Sequence, residues 1–156
     1  MRVSIFLVIA ILLLSCDDTR VYEKNYDFVE RQWKVNERPS FEFKAAANQS
    51  YNLYCNLRNS VSYPYSRIFI NYNVKDSTGA ELSRKMISTF LFDEKTGKPL
   101  GSSGLGDIYD HQIPLLGNYT FTKNGTYTVQ FEQFMRTDSL QGILAVGLRV
   151  EVATKN

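Results

Sequence analysis

A chain of 156 residues that sets 18 Lys and Arg against 16 Asp and Glu carries a formal charge of only +2, so it lacks the strongly basic surface that nucleic-acid binding needs. Two cysteines and one histidine, His111, exclude a four-cysteine zinc site. The length suits one domain able to bury about two-thirds of its unfolded surface without staples, and ten Tyr, ten Phe and one Trp favour β structure.

The chain opens on Arg2 and then on Val3 to Leu14, in which only Ser4 is polar, and this run closes on Leu13-Leu14-Ser15-Cys16. Crossing a hydrocarbon core of about 30 Å takes ~20 apolar residues, so the run is too short to span, and a small residue directly before cysteine marks a lipoprotein signal peptide. Residues 1–15 are therefore expected to be removed and Cys16 to carry lipid. One acyl chain binds a membrane only reversibly, whereas two or more hold stably. Asp17 to Lys24 is polar and lacks periodicity, so residues 16–24 read as a lipidated tether. Eight extended residues reach about 27 Å at most, which keeps the folded domain, residues 25–156, close to the bilayer.

Within that domain Tyr26 to Trp33 reads as a first strand with Trp33 as a core anchor, and Phe41, Phe43 and Ala45 alternate as a second. From Tyr51 the period of two is clean: Tyr51, Leu53, Cys55 and Leu57 fall on one side, Asn52, Asn56 and Arg58 on the other. Cys55 is thus expected to be a buried, inert thiol. Tyr63-Pro64-Tyr65 reads as a turn or edge, then Ile68, Ile70, Tyr72 and Val74 form another face, and Asp76-Ser77-Thr78-Gly79 a hairpin turn. Leu82 to Phe92 carries apolar residues on both parities, as a strand covered on both faces would.

Asp93 to Leu116 reads as one long irregular region around Gly101 to His111, and loops of that length are often functional. Beyond it, Asn124-Gly125 predicts a type I′ hairpin. Tyr127, Val129, Phe131, Gln133 and Met135 alternate in the returning strand. In the last strand Leu144, Val146, Leu148, Val150 and Val152 face one way, Arg149 and Glu151 the other. Some eight short strands without a helical period predict an all-β fold, a single β-sandwich with Greek-key or jelly-roll connections.

Few residues offer chemistry. Asp107, Asp110 and His111 cluster within a few positions and form a weak candidate set for a metal, against the simpler reading of turn capping. The glycines before them lack the Gly-Lys-Ser/Thr ending of a phosphate loop, and no serine sits in a nucleophile elbow. The chain is expected to be no enzyme and to need no cofactor. Tyr54, Tyr63, Tyr65 and Tyr109 are candidate exposed aromatics for stacking on sugars or on a partner. Asp76-Ser77-Thr78 and Asp138-Ser139-Leu140 have the form of short O-glycosylation motifs of Bacteroidetes exported proteins, which makes Ser77 and Ser139 candidate acceptors.

Several blocks carry a family likeness: the signal ending in Cys16, Tyr63-Pro64-Tyr65-Ser66, Leu105-Gly106-Asp107-Ile108-Tyr109-Asp110, Gly125-Thr126-Tyr127, and Met135 to Ile143 continuing to Val146-Gly147-Leu148-Arg149. In this order they resemble the gliding-motility lipoprotein family GldH of the Bacteroidetes, with Ala145 standing where that family usually has an aspartate. The resemblance implies a membrane-anchored accessory of the gliding apparatus, working with other Gld lipoproteins or envelope proteins near the type IX secretion machinery. It transfers no catalytic residue. The lipid-anchored chain is expected in the cell envelope, at the periplasmic side of the outer membrane ahead of the inner membrane. Leu105, Gly106, Asp107, Ile108, Tyr109 and Asp110 are the candidate interaction loop, and a carbohydrate-binding surface lipoprotein is the alternative.

Overall fold

A computed structural model describes residues 18–154. Cys16 and the signal segment lie outside the described residues. Eleven strands follow in chain order: β1 (Arg20–Asp27), β2 (Gln32–Lys34), β3 (Ser40–Ala45), β4 (Ser50–Ser60), β5 (Arg67–Lys75), β6 (Glu81–Phe90), β7 (Ser102–Ser103), β8 (Ile108–Thr120), β9 (Gly125–Gln133), β10 (Ser139–Gln141) and β11 (Ile143–Val152). The first sheet has the order β1-β11-β4-β8-β7 and the second β3-β9-β5-β6, with β2 and β10 pairing as a small ribbon. All pairs are antiparallel. The fold is the expected all-β sandwich.

Alternation explains how the layers meet. Leu53, Cys55 and Leu57 of β4 with Val146, Leu148 and Val150 of β11 form one inner face, and Ile68, Ile70, Tyr72, Val74, Val129 and Phe131 the other; all are buried. At about 1.5–3 kcal/mol per large apolar side chain removed from water, this seam supplies the driving force. Tyr72 ties the layers together by donating its hydroxyl to Leu115 O across the seam at 3.1 Å. At one end Phe121 fills the space between sheets, with its ring 4.1 Å from Tyr127 and 4.9 Å from Tyr119.

Several elements differ from the sequence reading, each for a local reason. Residues 20–24, assigned to the tether, are strand: Arg20 pairs with Glu151 and Lys24 with Leu148. Their outer positions face solvent, so no apolar period revealed them. The expected strand Tyr26 to Trp33 is broken because Glu30 (φ 61°) and Arg31 (φ 55°) turn left-handed between β1 and β2. Leu82 to Phe92 is not covered on both faces. It contains β6, an edge strand with Leu82 and Met86 exposed, and only Leu91 and Phe92 after it are buried.

The long loop is shorter than expected, since Ile108 to Thr120 is a thirteen-residue strand paired along β4. Pro114 hid it; β8 tolerates a proline because beyond β7 no strand covers its outer edge. Asn124-Gly125 makes no hairpin, because β8 and β9 belong to different sheets. Neither residue has positive φ, and Asn124 Oδ1 instead accepts Ala47 N at 2.7 Å in the neighbouring crossover. A bulge between Ile143 and Ala145 shifts the parity of β11, so Ile143 is buried where Leu144 was expected. The hairpin at Asp76 to Gly79 is present, with Asp76 Oδ1 accepting the amides of Thr78 and Ala80 at 2.9 and 3.0 Å.

Candidate functional site

The groups most able to do chemistry are held by structural partners. Cys55 is fully buried between sheets, and burial pushes its thiol up, well above the ordinary range. Thiolate is the reactive form. Native protein is therefore expected to stay unlabelled by a maleimide at pH 8 and to react once denatured; brisk native labelling would place Cys55 at an accessible site.

Asp107, Asp110 and His111 do not converge. Asp110 and His111 are successive residues of β8, so their side chains leave opposite faces of the sheet. Asp110 accepts Arg58 Nε at 2.8 Å and its NH2 at 3.3 Å, a forked pair across the β4–β8 ladder. His111 Nε2 lies 2.8 Å from Asn59 Oδ1. Asp107 sits exposed in the turn before β8, where its carbonyl accepts Val61 N at 3.0 Å. Among the described residues, no three His, Cys, Asp or Glu side chains stand close enough to hold a metal ion.

His111 makes a pH-dependent contribution. Desolvation holds its imidazole below the usual value near 6.5, with Asp110 pulling it partly back. The unfolded chain thus binds this proton at a higher pH than the folded one, so the contribution is intact above about 6.5 and is lost as pH falls through the lower folded value. Melting temperature is expected to drop between pH 7.5 and 5.5, and His111→Gln to flatten that slope; equal slopes would refute the assignment.

The candidate interaction segment is a hairpin tip and the strand that follows. Leu105 is 91% exposed, Gly106 takes φ +66° in the turn, and Ile108, Tyr109 and Asp110 are half-buried β8 residues. Beside it a polar cleft of about 310 Å³ opens on the first sheet, lined by Glu23, Asn25, Asn56, Arg58, Asp110, His111 and Gln112 among others. Ala145 lines it, and small residues continue along β11 beside it. Ala145 pairs with Arg58 and Gly147 with Asn56, and a Cβ at Gly147 would stand 2.6 Å from Lys24 O. Glu23 gathers the charges here, accepting Asn56 Nδ2 at 2.8 Å, Arg20 NH1 at 2.7 Å and Arg149 NH1 at 3.2 Å, and these partners lower its pKa against the opposing cost of burial.

A second concavity, about 440 Å³, lies on the outer face of the other sheet and is apolar: Tyr65, Phe69, Met86, Phe134 and Met135, with Arg136 at its rim. Buried Gln133 shapes it, donating Nε2 to Thr137 O at 2.9 Å while its Oε1 accepts Met135 N at 2.8 Å. That clasp turns residues 134–137 out of the strand. The sequence reading missed this groove; its signal was Phe69 and Phe134, apolar side chains on the wrong parity for the core. Tyr63, expected exposed, is buried, donating to Arg67 O at 2.9 Å and holding the Tyr65 ring edge-on at 5.7 Å. Ser77 is exposed in its hairpin, whereas the Ser139 hydroxyl donates to Gln32 Oε1.

The sequence profile described as GldH lipoprotein matches residues 20–150. The chain belongs to the GldH lipoprotein family. The gliding motility lipoprotein GldH homolog of Christiangramia forsetii is 32% identical over 160 residues, covering 96% of this chain and 94% of that one. Gliding motility lipoprotein GldH of Flavobacterium johnsoniae is 28% identical over 156 residues, covering 95% and 94%. Among solved structures, the Cry4Aa toxin of Bacillus thuringiensis is similar at a TM-score of 0.48 and 12% identity, over 78% of this chain and 19% of that one, which carries no functional argument. As a family of lipoproteins, GldH is membrane-associated, and no helix among the described residues is long and apolar enough to cross a membrane.

Proposed function

We propose that this GldH-family chain is a non-enzymatic accessory of the gliding and type IX secretion-associated envelope machinery. It is anchored through lipid on Cys16 at the periplasmic side of the outer membrane, and it stabilises a neighbouring envelope protein by offering surface. One contrast supports this reading: Cys55, His111 and Asp110 are engaged within the fold, while Phe134, 58% exposed, shares an open apolar groove with Tyr65, Phe69, Met86 and Met135. Apolar side chains grouped in one exposed patch mark interaction surfaces on soluble domains.

Deleting the gene and quantifying the envelope proteome tests it. One or a few envelope proteins should fall in abundance, restored by the wild-type gene and not by Cys16→Ala. An unchanged proteome together with unchanged surface movement would sink the proposal.

The polar cleft favours a second reading, a carbohydrate-binding lipoprotein, since Asn25, Asn56 and Gln112 offer the paired donors and acceptors that sugar hydroxyls use. A glycan array silent at millimolar ligand removes it.

A further inference from the structure

The fold has an anchored end and a far end. Cys16 precedes Arg20 by four residues, at most about 14 Å of extended chain, and pairing has begun there: Thr19 O accepts Val152 N at 2.7 Å. The crossover between β3 and β4, the turn between β5 and β6 and the crossover between β8 and β9 lie at this same end, because strands running lengthwise bring Ala45 beside Gly125 and Lys75 beside Thr128. Val29, Val61, Tyr65, Leu100, Leu105 and Phe134 lie at the opposite end, all exposed. Among the described residues, only Val21 and Leu82 of the exposed large apolar side chains flank the anchored one, with Met86 midway.

The apolar groove opens toward that far end, and its charges are open. Arg67 lies over the rings of Phe69 and Phe90, 5.1 and 4.8 Å from their centroids, and donates to Ser88 Oγ at 2.9 Å. Arg136 is exposed, and neither guanidinium has a carboxylate partner among the described residues. An arriving carboxylate would gain a charge-assisted bond at either. Next to the groove β6 has an edge that no other described strand pairs with and that an extended chain can join. The bilayer holding the anchor sits at the other end, and the groove's Phe and Met lining offers sugars few hydrogen-bond partners.

We propose that this groove docks an extended segment of a neighbouring envelope protein, one presenting apolar side chains with carboxylates set between them. The proposal rests on the anchored, surface-offering reading above and names the surface and the chemistry of its partner.

The test uses the full lipidated chain in its own envelope, with Phe134→p-benzoylphenylalanine as the crosslinking probe and Val21→p-benzoylphenylalanine as the anchored-end control. Irradiation is expected to join position 134, not 21, to one polypeptide at a segment that mass spectrometry reads as apolar and acidic. A synthetic peptide of that segment should bind the purified protein, and Arg136→Glu should weaken it about tenfold or more with the melting temperature unchanged. Crosslinks to lipid, to a second copy of this chain, to a basic or wholly polar segment, or to nothing would overturn the proposal. Failure here alongside a proteome that does respond to deletion would leave the accessory reading standing and remove only the groove.

Discussion

Trp33→Ala is expected to cost about 3–5 kcal/mol, the usual range for emptying a buried large aromatic site. Trp33 has no exposed surface. Its ring stacks on Phe28 with centroids 5.1 Å apart and planes 23° from parallel, and its indole Nε1 donates to Glu37 O at 2.8 Å. Alanine would leave a cavity and an unbonded carbonyl together, in the ribbon where Leu140 pairs with Trp33. Because β2 is only three residues long, little other pairing would hold it. At about 4 °C per kcal/mol for a domain of this size, the melting temperature should fall by roughly 12–20 °C. Trp33→Phe separates the two terms, keeping most of the volume while losing the indole bond, and is expected to cost only about 1–2 kcal/mol. A Trp33→Ala melting point within 3–4 °C of wild type, about 1 kcal/mol, would show that the ribbon is not integral to the sandwich.

Gly142→Ala is the second large effect. Gly142 has φ +78°, and a Cβ built on it would stand 2.5 Å from Tyr63 N and 2.7 Å from Tyr63 Cα, backbone atoms that cannot swing aside. The left-handed conformation costs an alanine about 1–2 kcal/mol, and overpacking against backbone about 1–3 more, so roughly 2–5 kcal/mol is expected. Three segments would move together, since Gly142 O accepts Ser60 N at 2.9 Å and Gly142 N donates to Arg31 O at 2.9 Å. Gly79→Ala is the control: its φ is +85° but nothing lies within 4 Å of a new Cβ. Only the conformational cost applies there. Chemical denaturation of both variants checks the difference, and equal losses would mean that the contact with Tyr63 contributes nothing.

Both sites lie at the far end of the sandwich, where β2, β10 and the loop bearing Tyr63 meet. Tyr63 also stacks on Phe92, centroids 6.4 Å apart, and its hydroxyl bond to Arg67 O fixes the loop that presents Tyr65. Core packing there therefore sets the geometry of the apolar groove. Either variant is expected to lower the amount of folded protein before it alters any recognition, so binding comparisons belong with Arg136 at the rim.

The alternation of Tyr51 to Leu57 and of Ile68 to Val74 made two inner strands legible from the amino acids alone, because a strand with one covered face must bury every second residue. The same logic identified Cys55 as inert, and the ordered blocks from Tyr63 to Arg149 carried the family likeness. What local pattern lacks is information about neighbours. Asn124-Gly125 favours a tight hairpin in isolation, yet its flanking strands join different sheets, so the turn follows the crossover. β1 and β8 escaped notice because pairing along β11 and β4 stabilises them without requiring an apolar period of their own. Asp107, Asp110 and His111 are neighbours in the chain, but the pleat sends Asp110 to Arg58 and His111 to Asn59. The groove is the reverse case: Tyr65, Phe69, Met86 and Phe134 come from separate segments and meet only because β5 lies between β6 and β9. Composition and period determined that this chain is a single sheet sandwich and which side chains drive its closure; strand order, a long-range choice made by the packing of whole faces, decided which residues share a surface.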